Sequence, residues 1–247
     1  MFDGSDGFKK SEHDVYVEHR IAQHCEKRGI DPLTASKHFP VLARRQALKR
    51  YLAHVDLFKA TLDVPGDIAE FGVYRGLGLF TWANLLEAYC IGDRTKTVWG
   101  FDNWKGFTVR SQHDIAALGT FDSSTFHQEV LDAIAIFDAD RFIPQKPRIK
   151  LIDGQIEETV VQFAHDNPGA RFSLLHLDCD LYLPTKTVLE TLWGRVVRGG
   201  IVIFDEYGMP DWPGETAAVD EWLANKPSLR LQTLQWTNTP GAFLCKP

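Results

Sequence analysis

The chain has few cysteines, and none is placed as in a common metal-binding or redox motif. The four cysteines are widely separated: Cys25, Cys90, Cys179 and Cys245. A Cys-x-x-Cys pair, as found in zinc ribbons and thiol oxidoreductases, does not occur, and the scatter disfavours a disulfide scaffold. We therefore expect a reduced protein with a cytoplasmic location.

An excess of positive charge and long apolar runs are also lacking. The net charge is −6 and the pI is near 5.8, whereas nucleic-acid-binding domains normally carry a basic surface. No apolar run approaches the length of about 18 residues that a membrane-spanning helix needs. The first residues lack the basic and apolar regions of a secretory signal. We expect no nucleic-acid partner, no membrane partner and no secretory signal.

Apolar segments alternate along the chain with segments of helical periodicity, and 247 residues suffice for one α/β domain with additions. Five apolar segments are predicted strands: Ile68–Gly72, Thr97–Phe101, Arg148–Ile152, Phe172–Leu177 and Ile201–Phe204. Several are continuously apolar, as expected of parallel strands covered on both faces. We predict a doubly wound α/β fold with a mostly parallel, Rossmann-like sheet of seven strands.

Two further elements are predicted in the last third of the chain. Apolar residues recur at helical spacing between Pro184 and Val197, and Gly199-Gly200 is expected to end that helix. The segments Leu229–Trp236 and Ala242–Cys245 flank a turn that contains Pro240, which predicts an antiparallel hairpin on the sheet edge.

The predicted domain organisation has two parts and one insertion. Residues 1–64 are expected to form an N-terminal helical arm followed by helices, and residues 65–247 a cofactor-binding domain. Residues 103–147 separate two predicted strands by an unusually long connection, and such connections are often functional. We interpret this insertion as a lid over the active site, with a helix over Thr125–Ile136.

A glycine-rich turn after the first predicted strand is the most informative motif. Glu70 is followed by Gly72, Gly76 and Gly78, and an apolar helical segment begins at Leu79. The spacing differs from the Gly-x-Gly-x-x-Gly of dinucleotide sites, where a pyrophosphate sits on the helix N-terminus. A leading carboxylate suits a ligand that carries a cationic amino-acid group, such as S-adenosylmethionine. The alternative is tight packing of a turn without a ligand.

Polar residues at the ends of the second and third strands predict a nucleoside site. Asp102 is placed to accept hydrogen bonds from ribose hydroxyls, and Gly154 with Gln155 is placed near an adenine edge. Asp102 could instead cap the strand–loop junction, and Asp153-Gly154 is also ordinary turn chemistry.

Acidic residues follow the fourth and fifth predicted strands. Asp178 and Asp180 end one strand, and Asp205 and Glu206 end the next. Carboxylates that meet at one sheet edge repel each other unless their pKa values rise or a divalent cation binds. Oxygen ligands favour magnesium, calcium or manganese over zinc. The alternative is that Asp180 or Glu206 caps a following helix.

Two histidines are candidates for a general base. His113 and His127 lie in the insertion, where a base with a pKa near neutrality could reach a substrate hydroxyl, although a solvated loop or helix histidine is the more common case at each position. His176 lies inside a predicted buried strand and is interpreted as a satisfied core histidine.

Taken in order, four segments resemble the macrocin O-methyltransferase (TylF/MycF-like) family: Gly66–Gly76, Gly100–Asp102, Leu177–Tyr182 and Gly199–Tyr207. The resemblance covers roughly residues 45 to 236. It implies a class I methyltransferase fold, S-adenosylmethionine as the methyl donor, a magnesium ion, and a hydroxyl of a sugar or glycosylated natural product as the acceptor. A homodimer is possible by the same analogy.

The resemblance also implies roles for individual residues. Glu70 and the glycines would line the methionine end of the donor, Asp102 would hold the ribose, and Gly154 with Gln155 would flank the adenine. The metal ligands would be Asp178, Asp205 and Glu206, where Glu206 departs from the aspartate expected at its position. The base would be Asp178 or the lid residue His113. Two rival functions stay open: a nucleotide-cofactor oxidoreductase and a non-catalytic member of the fold.

Overall fold

The computed structural model describes residues 10–247, so the prediction about a secretory signal, made on the first residues of the chain, lies partly outside the described part. Helices occupy the beginning of the described chain: α1 (Glu12–Arg28), α2 (Pro32–Lys37), α3 (Phe39–Leu42) and α4 (Arg45–Lys59). Helix α1 begins with a capping box in which Ser11 and Asp14 satisfy each other's backbone N–H groups, and it ends at Gly29 in the left-handed conformation.

The chain divides into two compact units, the first ending at Lys49 and the second comprising Arg50–Pro247. In the first unit, the guanidinium of Arg44 pairs with the carboxylates of Asp14 and Glu18. The division lies within α4, so the second unit contains Arg50 and the rest of that helix. The domain boundary expected near residue 64 stays a prediction.

The second unit is built on one six-stranded sheet in the order β3-β2-β1-β4-β5-β6. The strands are β1 (Asp67–Phe71), β2 (Val98–Asp102), β3 (Ile149–Asp153), β4 (Phe172–Leu177), β5 (Val196–Phe204) and β6 (Ala242–Cys245). The first five are parallel, and β6 runs antiparallel to β5. The predicted mostly parallel sheet with an antiparallel C-terminal edge is confirmed.

Helices cover both faces of this sheet, as expected for a doubly wound fold. They are α5 (Leu77–Tyr89), α6 (Phe126–Asp140), α7 (Ile156–Asp166), α8 (Tyr182–Leu192) and α9 (Pro213–Leu223). Successive strand residues point to opposite faces, and Ile68 accordingly packs with Trp82 of α5 in one apolar core, whereas Ala69 packs in the other with Phe163 of α7.

The sheet has six strands in the described chain where seven were predicted. The segment Leu229–Trp236 forms an isolated antiparallel bridge, Gln232 with Phe243, instead of a strand. The chain turns at residues 235 and 236, so the hydrogen-bonded ladder of a hairpin does not continue past that bridge.

The prediction for Pro184–Val197 is corrected at its end. Helix α8 ends at Leu192, a 3₁₀ turn covers Trp193–Arg195, and β5 begins at Val196. Gly199 and Gly200 therefore lie inside β5 rather than at a helix end. The pairing with β4 shifts here, so the glycines lie in an irregular part of the ladder.

The long insertion between β2 and β3 contains α6, which confirms a helix over the predicted range Thr125–Ile136 and extends it to Asp140. Its first loop packs through aromatic rings, because Phe107 lies 5.5 Å from Phe121 and 5.9 Å from Trp212 by ring centroids. The interpretation of the insertion as a lid stays a prediction. Among the described residues, no helix combines the length and apolar character needed to cross a membrane.

Candidate active site

The turn after β1 lies directly against the end of β4. Gly72 has a φ of +95°, and a Cβ built on it would lie 1.8 Å from the carbonyl oxygen of Asp178. Only glycine tolerates both this conformation and this approach. The turn therefore brings the predicted cofactor loop into contact with the first of the predicted metal ligands.

The glutamate that leads the motif is buried beneath the start of α5. Glu70 is 1% exposed, and a Cβ on Gly78 would lie 2.1 Å from its Oε1 atom, so Gly78 leaves the space that this carboxylate occupies. Gly76 forms the N-cap of α5. Burial raises the pKa of Glu70 to about 7, against the opposing effect of His176.

His176 joins this glutamate to the end of β5. Its Nδ1 lies 3.6 Å from Oε1 of Glu70 and its Nε2 lies 3.3 Å from Oδ1 of Asp205. Burial favours the neutral ring, but the partners Asp205 and Glu70 prevail and raise the pKa of His176 to about 10. The expected core histidine is thus a buried cation, with a hydrogen bond at Nε2 and only a longer electrostatic contact at Nδ1.

The predicted metal ligands converge at the carboxyl ends of β4 and β5. One carboxylate oxygen each from Asp178, Asp205 and Glu206 lies within 4.8 Å of the others. The Oε2 atom of Glu206 is buried and has no hydrogen-bond partner in the described chain. An all-oxygen set with an unpartnered buried oxygen fits a hard divalent cation such as Mg²⁺.

Three carboxyl groups in and around the cluster favour the protonated form. Burial and the neighbouring carboxylates raise the pKa values of Asp180, Glu206 and Glu215 well above their ordinary values. Glu215, at the start of α9, accepts a hydrogen bond from the backbone N–H of Glu206 at 3.0 Å. Sequence reasoning missed Glu215, because a glutamate in the first turn of a helix is unremarkable.

Helix α8 is not capped by Asp180, the residue that the sequence made an alternative cap. The N-cap is Leu181, and the N–H of Tyr182 donates to Oδ1 of Asp114 at 2.9 Å. Asp114 lies in the insertion, so a residue of the insertion accepts a hydrogen bond from the N-terminus of α8. Asp180 instead belongs to the carboxylate cluster, which argues against the capping alternative.

Arg50 is the main residue that sequence reasoning missed. Its Nη2 atom contacts Oδ2 of Asp178 and lies 3.0 Å from Oδ2 of Asp205. The opposite charges of Asp178 and Asp205 raise the pKa of Arg50 despite the cost of its burial, so it stays charged. No sequence signal points to this position, because an arginine on an amphipathic helix is normally solvated.

The carboxylate of Asp102 is hydrogen-bonded to the backbone of the glycine-rich turn. Its Oδ2 atom accepts from the N–H groups of Val73 and Tyr74, at 2.8 and 2.9 Å, and its Oδ1 atom accepts from the N–H of Trp104 at 2.7 Å. A carboxylate accepts about four hydrogen bonds, so these three leave room for another donor. Ribose binding by Asp102 stays a prediction.

The predicted adenine residues connect β3 to the insertion. The N–H of Gly154 donates to the carbonyl of Asp102 at 2.9 Å, and the side chain of Gln155 contacts Asn103 and Thr108. The end of β3 therefore meets the beginning of the insertion, as a nucleoside site there requires. The roles of Gly154 and Gln155 stay predictions.

The two histidines of the insertion lie in different places. His113 stacks on Tyr182, with ring centroids 4.4 Å apart. His127 stacks on Trp104, and its Nε2 lies 3.4 Å from Oδ1 of Asp153. Among the contacts of the described residues, none joins His113 to Asp178, so the structure does not bring together the two predicted candidates for the base.

Comparison with known proteins identifies the family. The model of the macrocin-O-methyltransferase (TylF) family matches residues 11–237. The chain belongs to this family. The predicted resemblance is confirmed, and the assignment to a family of methyltransferases removes the support for a nucleotide-dependent oxidoreductase.

Two characterised relatives are natural-product methyltransferases. Mycinamicin III 3''-O-methyltransferase of Micromonospora griseorubida is 30% identical over 150 residues, which is 60% of this chain and 57% of that protein. The second is 8-demethyl-8-(2,3-dimethoxy-alpha-L-rhamnosyl)-tetracenomycin-C 4'-O-methyltransferase of Streptomyces olivaceus, 28% identical over 189 residues, or 72% of this chain and 68% of that protein. The match with the mycinamicin enzyme thus spans little more than half of its length.

A solved structure covers nearly the whole chain. CalS11, a calicheamicin methyltransferase, is 30% identical and superimposes with a TM-score of 0.85 over 96% of this chain and 94% of that one. Its apo structure, described as a TDP-rhamnose 3'-O-methyltransferase, gives a TM-score of 0.79. The predicted class I methyltransferase fold is therefore confirmed.

Proposed function

We propose that this protein is an S-adenosylmethionine-dependent O-methyltransferase that uses Mg²⁺ and methylates a hydroxyl group of a sugar or a glycosylated natural product. The contact between the turn at Gly72 and the backbone of Asp178 carries the proposal. A methyl donor held by that turn would lie beside the carboxylate cluster, so the donor and an acceptor bound at the cluster would be neighbours.

The donor site consists of the residues that the sequence singled out. Glu70, Gly72, Gly76 and Gly78 line the methionine end, Asp102 binds the ribose, and Gly154 with Gln155 flanks the adenine. When bound, S-adenosylmethionine supplies an electrophilic methyl group. The chain contributes a turn in which Gly72 has no Cβ to obstruct the ligand. It also contributes the buried carboxylate of Glu70, whose charge is opposite to that of the donor's amino group.

The metal site consists of Asp178, Asp205 and Glu206. When bound, Mg²⁺ supplies positive charge that lowers the pKa of an acceptor hydroxyl. Oδ1 of Asp205 is held by His176, and its Oδ2 atom lies 3.0 Å from Nη2 of Arg50. Glu206 is longer than the aspartate expected at this position but keeps two carboxylate oxygens.

Asp178 is the proposed acceptor of the hydroxyl proton. Its side chain is 23% exposed, whereas that of Asp205 is 1% exposed, so Asp178 can reach an acceptor and Asp205 cannot. His113 is the second candidate, and its position against Tyr182 gives no support for preferring it. A side chain that accepts the proton typically accelerates such a step by about 10²–10⁴-fold.

The names of the relatives support the acceptor class. One relative is named for 3''-O-methylation of mycinamicin III, another for 4'-O-methylation of a rhamnosyl tetracenomycin, and CalS11 for 3'-O-methylation of TDP-rhamnose. We infer a sugar acceptor, either attached to a natural product or carried as a nucleotide sugar. The cytoplasmic location and the homodimer stay predictions.

Calorimetric titration with S-adenosylhomocysteine, first with Mg²⁺ and then with a chelator, tests the donor site. Micromolar binding supports the proposal, and no heat in either condition contradicts it. Methyl transfer from labelled donor to TDP-rhamnose and to rhamnosylated natural products then tests the acceptor. Binding without transfer to any sugar would favour the non-catalytic alternative.

Three variants test the assigned roles. Asp178→Asn and Asp205→Asn are expected to lose about 100-fold or more in turnover while still binding S-adenosylhomocysteine. Asp63→Asn, which alters an exposed carboxylate outside the cluster, serves as the matched control. Unchanged turnover in both cluster variants would refute the metal and base assignments, and loss of turnover in His113→Asn alone would move the base to His113.

A further inference from the structure

We propose that Arg50 is an internal cation that competes with the divalent metal ion for Asp178 and Asp205. The guanidinium holds these carboxylates when no metal is bound, and it must leave them when the metal binds. This inference rests on the metal site of the proposed function and adds to it a residue that sets the metal affinity.

The guanidinium contacts two of the three carboxylates that a metal ion would share. Its Nη2 atom contacts Oδ2 of Asp178 and lies 3.0 Å from Oδ2 of Asp205, so a single atom bridges the two carboxylates. A metal ion shared by Asp178, Asp205 and Glu206 would have to approach these carboxylates equally closely. Two cations on the same carboxylates repel each other strongly at such distances, so occupancy by one weakens occupancy by the other.

The direct polar contacts of Arg50 in the described chain are made with these two carboxylates. In the part of the chain that the structure describes, Asp178 and Asp205 are its only hydrogen-bond or ion-pair partners, and its Nε atom is buried without one. A metal ion that takes over the carboxylates would therefore remove every charged contact of the guanidinium. The carboxylates of Glu206 and Glu70 attract the guanidinium as well, but no hydrogen bond or ion pair joins either of them to Arg50 in the described chain.

Of the two basic side chains that face Asp205, only Arg50 can leave. His176 is fully buried in the strand and lies between Glu70 and Asp205. The Arg50 side chain is 17% exposed and has a long flexible stem that can carry its charge to solvent. His176 is thus a fixed neighbour of the metal site, and Arg50 is the exchangeable one.

The test measures Mn²⁺ binding by electron paramagnetic resonance, independently of methyl transfer. Arg50→Gln is expected to bind Mn²⁺ about tenfold or more tightly than the unaltered protein, because a competing charge in direct contact has been removed. Arg45→Gln removes an exposed arginine from the same helix and is expected to leave the affinity unchanged. Equal or weaker Mn²⁺ binding by Arg50→Gln would overturn the inference.

A rescue experiment separates competition from a general structural effect. In Arg50→Ala, millimolar guanidinium chloride is expected to weaken Mn²⁺ binding, whereas the same concentration of sodium chloride is not. If neither glutamine nor alanine is tolerated at residue 50, Arg50→Met, which keeps an unbranched side chain of similar length and removes the charge, is expected to bind Mn²⁺ more tightly than the unaltered protein. No weakening by guanidinium in a folded alanine variant, or unchanged affinity in the methionine variant, counts against competition.

The same titrations distinguish failure of this inference from failure of the proposed function. If the unaltered protein and Arg50→Gln bind Mn²⁺ equally, the metal site stands and the competition is refuted. If neither binds Mn²⁺ although both bind S-adenosylhomocysteine, the proposed metal site is wrong and the competition is refuted with it, whereas the donor site stands.

Discussion

The Nε2 atom of His176 lies 3.3 Å from Oδ1 of Asp205, and neither side chain reaches solvent. The other ring nitrogen faces Glu70 at 3.6 Å. A buried imidazolium therefore links the carboxylate proposed for the donor site to a carboxylate proposed for the metal site. Because removal of a charge from a buried pair leaves its partner uncompensated, changes at His176 should affect both the stability of the fold and the two sites together.

Replacement of His176 by glutamine should destabilise the fold substantially. We expect the free energy of unfolding to fall by about 3 kcal/mol, because Asp205 and Glu70 lose a buried counter-ion. Urea denaturation of the variant measures this loss. His165→Gln, at a histidine whose side chain is 82% exposed, is the control and should change the free energy by less than about 0.5 kcal/mol. Equal effects of both substitutions would contradict an ionic role for His176.

The contribution of His176 to stability should depend on pH. Its pKa in the folded chain is about 10, above the ordinary value of 6.5. Because the folded pKa is raised, the stabilisation is fully present below pH 6.5 and is lost as the pH rises through 10. The difference in free energy of unfolding between the unaltered protein and His176→Gln should therefore shrink between about pH 6 and about pH 10. Parallel pH profiles for the two proteins would show that His176 is not the titrating group.

Substitution of Gly72 should abolish the donor site through a steric clash. Both Gly72→Ala and Gly119→Ala place alanine at a positive φ, but only at Gly72 does the new Cβ meet another atom, the carbonyl oxygen of Asp178. We expect Gly119→Ala to lose about 1–2 kcal/mol of stability from the backbone alone, and Gly72→Ala to lose on the order of 4 kcal/mol. S-adenosylhomocysteine should raise the melting temperature of Gly119→Ala and leave that of Gly72→Ala unchanged. Normal binding by Gly72→Ala would show that the turn does not form the site.

Removal of Asp114 should loosen the insertion from α8. Its Oδ1 atom accepts from the N–H of Tyr182, and its Oδ2 atom accepts from Ser111 within the insertion. Loss of such a helix cap costs about 1 kcal/mol, and we expect Asp114→Ala to raise the KM for the sugar acceptor more than it lowers turnover. Asp122→Ala is the control, because Asp122 accepts from the N–H of Ser124 in the same insertion and makes no described contact with α8. If both variants give the same KM, the insertion does not act on acceptor binding through Asp114.

Sequence patterns were sufficient to predict where the strands lie and at which edge of the sheet the site is found. The predicted strand Phe172–Leu177 is β4 itself, and the strand predicted as Ile68–Gly72 is β1 shifted by one residue. Continuous apolar runs separated by helical segments favour parallel strands, and all parallel strands present their carboxyl ends at one edge. The convergence of Asp178 with Asp205 could therefore be predicted, although their sequence positions differ by the length of a helix and a strand.

Those patterns did not predict contacts between segments that are distant in sequence. The predicted hairpin became a single bridge at Gln232, because pairing depends on where the chain turns. Likewise, Asp114 caps α8 from the insertion, and no local cap motif in the sequence indicates a partner so far away. Each of these outcomes depends on which surfaces pack together, and periodicity within one segment carries no such information.

The sequence by itself determined where the strands lie along the chain, the glycine-rich turn and the acidic ends of β4 and β5, because these follow from local apolar patterns and from the geometry of a parallel sheet. Only the tertiary structure decided that Arg50 lies between Asp178 and Asp205 and that His176 bridges Glu70 and Asp205. Burial decides the charge of such groups, since a counter-ion becomes necessary only where water is excluded. Which groups of the carboxylate cluster carry a charge is therefore determined by the folded chain and not by the local sequence.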